Sequence, residues 1–266
     1  MNCDFSKKVV LVTGASAGIG EATALLLAKL GAQLAIVGRN EQNLNSVAEA
    51  CRKEAGAKVL PIIADLGTDE GCEKTAKMTL DHYGRLDVLV NNAAIGGRDT
   101  ILNASMELFD QLIGINLRGV YNLTRLLVPA LIESKGNIIN ISSAASTMVS
   151  VGALTYSMTK AAIDHFTRLT ALELAPKGVR VNTVNPGVTI SKFYQRISGK
   201  TDEEYQDYIK GTSQIIPLRE VCRAEDIANM VVFLASDNCR LVTGTNVQVD
   251  GGIQYCDLSG MLKQAK

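Results

Sequence analysis

Val9-Val-Leu-Val-Thr-Gly-Ala-Ser-Ala-Gly-Ile-Gly20 is the stretch that decides the fold of this chain. It opens with an unbroken run, Val9 to Thr13, that is typical of a strand buried on both faces of a parallel sheet. Three glycines follow, and a helical pattern then runs from Glu21 to a stop at Gly31. A strand, a glycine turn and a helix form a phosphate-binding device. Backbone N–H groups can approach a pyrophosphate there, at the positive end of the helix dipole.

The same glycine turn fits two enzyme classes. The spacing Gly14-x-x-x-Gly18-x-Gly20 is that of a dinucleotide turn, but Gly14-Ala-Ser-Ala-Gly18 also matches the G-x-S-x-G nucleophile elbow of hydrolases. An elbow needs an acid and then a histidine later in the chain, and neither His82 nor His165 follows a strand-end pattern. A third interpretation is a turn that only connects two elements. The pattern favours the dinucleotide turn and leaves the other two open.

Length, charge and cysteine content narrow the function classes. The chain has 266 residues with 27 basic and 27 acidic side chains. This balance gives no electrostatic reason to bind nucleic acid or an anionic membrane. We expect no signal peptide, no membrane span and no metal site. The six scattered cysteines contain no C-x-x-C and indicate reduced thiols. We therefore expect a cytoplasmic protein that binds neither nucleic acid nor membranes.

Short apolar runs alternate with amphipathic stretches along the chain, which predicts an α/β fold with a doubly wound parallel sheet of about seven strands and helices on both faces. Pro61 has no N–H to donate and places its strand at a sheet edge. The predicted strands are 9–13, 33–38, 58–65, 86–90, 137–142, 179–184 and 246–249. The predicted helices are 21–30, 41–55, 68–83, 105–133 (broken near Gly114 or Gly119), 156–175 and 224–235.

No linker or repeat interrupts this alternation, so residues 1–256 are predicted to form a single domain. Residues 257–266 are predicted to be a loose C-terminal tail. Region 190–220 follows a strand end and is the longest stretch without a regular pattern. We expect it to be a substrate loop that closes over the site.

Tyr156-Ser-Met-Thr-Lys160 is the pattern that carries chemistry. Residues i and i+4 share one face of a helix, so the phenol and the ammonium point the same way. A charge about 4 Å from the phenol favours the phenolate by on the order of 4 kcal/mol at an effective dielectric of about 20. We therefore expect Lys160 to lower the pKa of Tyr156 toward neutrality, where general acid–base catalysis is efficient. Taken alone, the same Tyr-x-x-x-Lys spacing also fits a tyrosine that packs over a lysine on the protein surface and has no catalytic role.

With its other motifs, the chain resembles the short-chain dehydrogenase/reductase family in its single-domain form, from about Lys8 to Gly252. This resemblance disfavours the hydrolase elbow and implies a Rossmann-like fold. The motifs that carry it are Thr13-Gly-Ala-Ser-Ala-Gly-Ile-Gly20, Asp65, Asn91-Asn-Ala-Ala94, Asn116, Ser143 with Tyr156 and Lys160, Asn185-Pro-Gly187 and Val249-Asp-Gly-Gly252.

The resemblance implies four catalytic residues. Tyr156 acts as general acid in reduction and as base in oxidation. Lys160 holds the nicotinamide ribose and lowers the pKa of the phenol. Ser143, rather than Ser142, hydrogen-bonds the substrate oxygen, and Asn116 supports a water relay. The implied cofactor-binding residues, in addition to Tyr156 and Lys160, are Gly14, Ser16, Ala17, Gly18, Ile19, Gly20, Arg39, Asn40, Asp65, Leu66, Asn92, Ala93, Ala94, Pro186, Gly187, Thr189 and Ser191.

Some of these positions carry finer expectations. The resemblance assigns Asp65 to the adenine, Asn91 to the adenosine ribose region and the backbone after Gly187 to the carboxamide. Two residues depart from the family pattern. Ala94 stands where glycine is usual, and Ser191 stands where threonine is usual, but neither change removes a chemical group.

Gly38-Arg39-Asn40, at the end of the second strand, bears on the choice of cofactor. An NAD enzyme needs a carboxylate here for the ribose hydroxyls, whereas an NADP enzyme needs room and a cation for the phosphate. No acid is present, and Arg39 can fork onto a phosphate. We expect NADP(H) to be preferred, with NAD(H) possible, although Ala17 supplies no second basic contact.

These residues predict an NADP(H)-dependent oxidoreductase of the carbonyl reductase type, which interconverts a ketone and a secondary alcohol. Two alternatives stay open: an NAD-dependent alcohol dehydrogenase of the same family, and a non-catalytic dinucleotide-binding sensor. The helices 105–133 and 156–175 should show outer apolar faces, and the resemblance then implies a homodimer or homotetramer.

The expected substrate is largely apolar, such as a steroid, a terpenoid or a 3-oxoacyl chain. The residues that should face it are apolar, namely Ile95, Met148, Val149, Val188 and Phe193. The nearby basic residues are expected to face water, namely Arg98, Lys192 and Arg196.

Overall fold

The computed structural model describes residues 3–54, 56–191 and 199–256. In this part of the chain the strands form one seven-stranded sheet in which neighbouring strands are parallel. The strands are β1 (Val9–Thr13), β2 (Gln33–Gly38), β3 (Val59–Ile63), β4 (Val88–Asn91), β5 (Asn137–Ile141), β6 (Arg180–Pro186) and β7 (Asn246–Val249). Their order across the sheet is β3-β2-β1-β4-β5-β6-β7, which confirms the predicted doubly wound sheet.

Helices cover both faces of this sheet. On one face α1, α2 and α8 pack against it, and on the other face α3, α5 and α6 do so. The helices are α1 (Gly18–Lys29), α2 (Glu41–Lys53), α3 (Asp69–Tyr83), α4 (Met106–Ile113), α5 (Val120–Ser134), α6 (Leu154–Leu174), α7 (Asp202–Ile215) and α8 (Ala224–Ala235).

The apolar run of β1 is explained by this layering. Val10 and Val12 belong to the core on the α1 side, while Val9 and Leu11 belong to the core on the α5 side. Because successive side chains of a strand point to opposite faces, a strand covered on both faces must be apolar at every position. Burying each such side chain stabilises the fold by about 1.5–3 kcal/mol.

Pro61 lies in β3, an edge strand of the sheet. β3 is the first strand of the order and pairs only with β2, where Pro61 stands opposite Ile36. Proline cannot donate to a ladder, so it is tolerated in an edge strand and not in a central one. The predicted edge position is confirmed.

The predicted helix 105–133 is not broken. A π-helical stretch, Gly114–Gly119, joins α4 to α5. At Gly119 a Cβ would lie 2.3 Å from the Leu66 carbonyl oxygen, so glycine permits a close approach to the loop after β3. The side chain of Asn116, within this stretch, is only 1% exposed. Gly114 and Gly119 are the first and last residues of a π-helical turn, which is wider than an α-helical turn and is often found at functional sites.

Region 190–220 is not irregular, contrary to the expectation. It contains α7, whose first turn is closed by a capping box between Thr201 and Glu204. The backbone N–H of Thr201 donates to Glu204 Oε2 at 2.9 Å. The pattern Thr-x-x-Glu was present in the sequence as a helix-start signal. Residues 192–198 and the predicted tail, 257–266, lie outside the described residues.

Two further helix starts differ from the prediction. α1 begins at Gly18 and not at Glu21, so the glycine turn supplies its first residues. α6 begins at Leu154 and not at Tyr156.

Within the described ranges, no helix has the length and apolar character needed to cross a membrane, and no cluster of His, Cys, Asp or Glu could hold a metal ion. The six cysteines are all unpaired.

Candidate active site

The site lies at the carboxyl ends of β1 and β4, where the strand order reverses. In open α/β sheets this is the crevice in which ligands bind. A cavity of about 640 Å³ opens there. Most of the residues implied by the resemblance line it, namely Gly14, Ser16, Ala17, Gly18, Ile19, Arg39, Asn40, Asp65, Leu66, Asn92, Ala93, Ala94, Ser143, Tyr156, Lys160, Pro186, Gly187, Thr189 and Ser191. Gly20 and Asn116 are not among the lining residues.

The glycine turn is held closely against the end of β4. Gly14 has a φ of 65°, and a Cβ there would lie 2.8 Å from Ala93 Cα. At Gly20 a Cβ would lie 2.4 Å from the Gly14 carbonyl oxygen. The Asn92 amide donates to the Thr13 carbonyl oxygen at 2.8 Å. These contacts explain two of the three glycines, and they leave the backbone at the start of α1 facing the cavity.

One end of the cavity is bounded by the loop after β2. Arg39 lines it and forms an ion pair with Asp65. Asn40 also lines it, and its side chain accepts a hydrogen bond from Asn43 N at 2.8 Å as the N-cap of α2. Asp65 Oδ1 accepts from Gly67 N at 2.9 Å, which holds the carboxylate at the rim. Arg39 is therefore the basic side chain at this end of the cavity.

Tyr156 lies in the first turn of α6. The buried carboxylate of Asp99 accepts from Thr155 N at 3.1 Å and from the Thr155 hydroxyl. A negative charge at a helix N-terminus also interacts favourably with the helix dipole. Asp99 therefore fixes the start of α6 and, with it, the position of Tyr156 at the cavity wall.

The pKa of Tyr156 is raised and not lowered, which corrects the expectation. Burial is the main cause, and a hydrogen bond with Ser143 opposes it. The ammonium of Lys160 lies 5.6 Å from the centroid of the Tyr156 ring. The ammonium therefore lies over the ring, and burial of the phenol decides the direction of the shift. The phenol holds its proton at neutral pH.

Lys160 is buried, with 3% of its surface exposed. Its Nζ donates to the Ile141 carbonyl oxygen at 2.8 Å, at the end of β5. Burial lowers the pKa of Lys160 to about 8, while the charge of Asp164 acts in the opposite direction. The ammonium is thus charged at pH 7 but close to titration.

The two serines after β5 have different roles. The buried hydroxyl of Ser142 donates to the Lys160 carbonyl oxygen at 3.1 Å and ties β5 to α6. Ser143 begins a short 3-10 turn, where its Oγ accepts from Ala145 N at 3.1 Å. It is Ser143 whose hydroxyl bonds with the side chain of Tyr156. A substrate oxygen placed between Ser143 and Tyr156 would meet two hydroxyl groups.

Asn116 supports the cavity from behind. Its Nδ2 donates to the Ile95 carbonyl oxygen at 2.9 Å, and its Oδ1 accepts from Ile95 N at 2.8 Å. The same Nδ2 lies 3.3 Å from Thr159 Oγ1 on α6. Asn116 therefore connects the loop after β4 to the helix that carries Tyr156. Its place in a water relay stays a prediction.

Asn91 does not line the cavity, contrary to its expected contact with the adenosine ribose region. Its side chain is buried and donates to Thr124 Oγ1 at 3.1 Å and to Asn140 Oδ1 at 2.9 Å. These bonds join β4 to α5 and β5. The next residue, Asn92, is the one that borders the cavity.

The other end of the cavity carries the apolar residues. Ile95, Met148 and Val188 line it as expected, but Val149 is fully exposed and does not. Arg98, which was expected to face water, borders this end although its side chain is exposed. Sequence reasoning also missed lining residues, among them Tyr208 on α7 and Ile253. Phe193, Lys192 and Arg196 lie outside the described residues.

The cavity also decides against the hydrolase elbow. Ser16 lines it, but neither His82 nor His165, both of which the structure describes, does so. An elbow serine needs a histidine within hydrogen-bond reach. The G-x-S-x-G match is a coincidence of the dinucleotide turn.

Known proteins match the chain over almost its full length. A family model described as enoyl-(acyl carrier protein) reductase matches residues 14–254. The 3-oxoacyl-(acyl-carrier-protein) reductase of Thermotoga maritima is 34% identical over 247 residues, covering 92% of this chain and 97% of the relative. Carbonyl reductase (NADPH) 2 of Sus scrofa is 34% identical over 254 residues, covering 95% and 98%.

A solved structure gives the same result. L-sorbose reductase from Gluconobacter frateurii, complexed with NADPH and L-sorbose, superposes with a TM-score of 0.90 at 30% identity, covering 96% of this chain and 99% of that chain. The fold, the cavity with Ser143, Tyr156 and Lys160, and these similarities agree. The chain therefore belongs to the short-chain dehydrogenase/reductase family.

Proposed function

We propose that this protein is an NADP(H)-dependent oxidoreductase that interconverts a ketone and a secondary alcohol. The observation that carries this proposal is that one cavity has a basic side chain, Arg39, at one end and Ser143, Tyr156 and Lys160 in its wall. The relatives support the choice of cofactor, since one is a carbonyl reductase (NADPH) and another structure holds NADPH.

The residues present fit a nicotinamide dinucleotide. The turn beside α1 leaves no room for a Cβ at Gly14 or Gly20, and the backbone between them borders the cavity. Such a turn lets N–H groups approach a pyrophosphate. Lys160 would hold the ribose next to the nicotinamide, and Arg39 would contact a 2′-phosphate. When bound, the nicotinamide supplies a hydride in reduction and accepts one in oxidation.

The residues of the chain supply the proton and fix the substrate oxygen. In reduction, the carbonyl carbon gains a hydride and its oxygen gains the proton of the Tyr156 phenol. The Ser143 hydroxyl hydrogen-bonds the same oxygen and favours the polarised carbonyl. Burial raises the pKa of Tyr156, so the phenol is protonated at pH 7 and ready to act as an acid.

Tyr156 must regain a proton after each reduction. Lys160 is held by the Ile141 carbonyl and lies over the Tyr156 ring, so its positive charge stabilises the phenolate that remains. Asn116 lies behind this pair, bonded to Ile95 and Thr159. We propose that the proton returns along this side of α6.

The proposed substrate is a ketone or secondary alcohol on a largely apolar skeleton. Ile95, Met148 and Val188 supply an apolar wall, and Arg98 and Tyr208 supply polar groups at the same end. The test is kcat/KM over a series of ketones of increasing apolar size, with NADPH and with NADH. We expect kcat/KM to rise with size and to be higher with NADPH. A flat series, or a preference for short carboxylated ketones, contradicts the apolar substrate and makes Arg98 the anchor to examine.

A further inference from the structure

A buried carboxylate stands next to the proposed catalytic residues and has no part in the mechanism above. Asp164 lies on α6, one helical turn after Lys160 and two turns after Tyr156, and it is 4% exposed. Positions i, i+4 and i+8 lie along one side of a helix. An ionised group in such a place is costly unless it is paired and hydrogen-bonded.

Asn185, at the end of β6, provides the hydrogen bonds. Its Nδ2 lies 3.1 and 3.0 Å from the two carboxylate oxygens of Asp164. The same Nδ2 lies 3.3 Å from the Ser143 carbonyl oxygen and 3.0 Å from Ser146 Oγ. The Thr183 hydroxyl donates to Asn185 Oδ1 at 2.7 Å, which fixes the orientation of the amide. A single amide thus connects Asp164 to the turn that carries Ser143.

The nearest group of opposite charge along the helix is Lys160, which is also buried and stands one turn before Asp164 on the same side of α6. Asp164 is the charged group that favours the protonated form of Lys160, against the effect of burial. The other charged residues on the elements packed against α6 lie elsewhere. Arg118 pairs with Asp69, and Arg180 bonds carbonyls at the opposite end of β6. The remaining charged groups are exposed on α4, on α6 itself or in the turn that follows it, namely Glu107, Asp110, His165, Arg168, Glu173 and Lys177.

We propose that Asp164 is a positioning residue with two effects: it is the buried counter-charge of Lys160 on the next turn of α6, and its bonds to Asn185 hold the turn that carries Ser143. The consequences for turnover rest on the proposed function. The charge state of Lys160 does not depend on the proposed function, because it is a property of the free protein. The two can therefore be tested separately.

The first experiment is an NMR titration of the free protein labelled with ¹³C at the lysine ε-carbon. The Lys160 signal is identified by its loss in Lys160→Arg. The Asp164→Asn variant keeps the shape of the side chain and removes its charge. We expect the titration midpoint of Lys160 to fall by about one pH unit. Asn185→Ala is the matched control, since it breaks the bonds to the Ser143 turn but keeps both charges, and we expect no fall.

The second experiment measures NADPH affinity by fluorescence between pH 6 and pH 9. Asp164→Asn should bind NADPH much like the wild type at pH 6 and lose affinity at a lower pH than the wild type does. For turnover, Asn185→Ala should lower kcat at every pH, because the Ser143 turn is loosened. Asp164→Asn should in addition move the alkaline limb of the kcat/KM profile to lower pH.

An unchanged Lys160 midpoint in Asp164→Asn overturns the proposal, and so does an equal fall in both variants, since that would reflect general loosening. If Asp164→Asn does not fold, the proposal is tested by an NMR titration of the wild-type protein. The carboxyl carbon of Asp164 should then show a step at the Lys160 midpoint, and the absence of a step overturns the proposal. If no ketone is turned over by the wild type, the proposed function fails while the titration still tests Asp164.

Discussion

Arg39 Nη1 lies 3.5 Å from Asp65 Oδ2, and the two side chains are 58% and 46% exposed at the rim of the cavity. An exposed ion pair of this kind contributes about 0–1 kcal/mol. A charge-assisted hydrogen bond to a phosphate is worth about 1.5–3 kcal/mol. A 2′-phosphate would therefore draw Arg39 away from Asp65, so the ion pair does not block the contact with the phosphate.

The first prediction follows from this pair. Arg39→Asp should weaken NADPH binding at least tenfold, since about 1.4 kcal/mol is a factor of ten, and should strengthen NADH binding. The physical reason is that the charge facing the phosphate is reversed. The measurement is the Kd of each cofactor by fluorescence titration. Lys77→Asp makes the same change of charge on exposed α3 and serves as the control. An unchanged ratio of the two Kd values would mean that Arg39 does not contact the phosphate.

The second prediction concerns the proton donor. Tyr156→Phe keeps the ring and removes the hydroxyl that bonds with Ser143. Turnover should fall by at least about 10²–10⁴-fold, the usual contribution of a general acid, while NADPH still binds. Steady-state rates and cofactor fluorescence check the two parts. Tyr121→Phe, at an exposed tyrosine outside the cavity, should leave the rate unchanged. Near-normal turnover of Tyr156→Phe would contradict the assignment of Tyr156 as the proton donor.

The third prediction is a dependence on pH. Burial lowers the pKa of Lys160 to about 8, so the ammonium is present below that pH and is lost as the pH rises through it. The rate of ketone reduction, measured as kcat/KM from pH 6 to 9.5, should therefore fall above about pH 8. Lys160→Arg keeps its charge throughout this range, because a guanidinium does not titrate there. The activity that Lys160→Arg retains should therefore show no decrease of kcat/KM at alkaline pH. If the decrease persists in this variant, it is caused by the titration of another group.

The fourth prediction concerns assembly. Met158, Leu169 and Leu172 are exposed on α6, and their spacing places them on one side of the helix. Tyr121 on α5 is also exposed, and its ring lies 5.9 Å from that of Phe166 on α6. We propose that this apolar face pairs with a second copy of the chain in a homodimer or homotetramer. Light scattering at micromolar concentration should show the oligomer, and Leu172→Glu should weaken it. A monomeric wild type contradicts the proposal.

The order of strands and helices could be predicted because it depends on local patterns. Val9 to Thr13 is apolar at every position, the glycines follow it, and Pro61 excludes a central position for its strand. The Tyr156 and Lys160 pair and Ser143 could be identified for the same reason, since they stand at fixed offsets along the chain. The helix within 190–220 also has a local signal in the sequence, the capping box formed by Thr201 and Glu204.

Other features depend on residues that are far apart in the sequence and meet only in the folded chain. The pKa of Tyr156 is raised because the surrounding elements bury the phenol, and no pattern in the helix records this burial. Asp164 meets Asn185 across β6, and Asn91 meets Asn140 across a strand pair. Sequence periodicity specifies which face of an element is apolar, whereas the order and register of the strands decide which polar groups face each other. The sequence by itself therefore determined the family and pointed to the proposed reacting groups, and only the tertiary structure decided the burial of these groups and the contacts that support them.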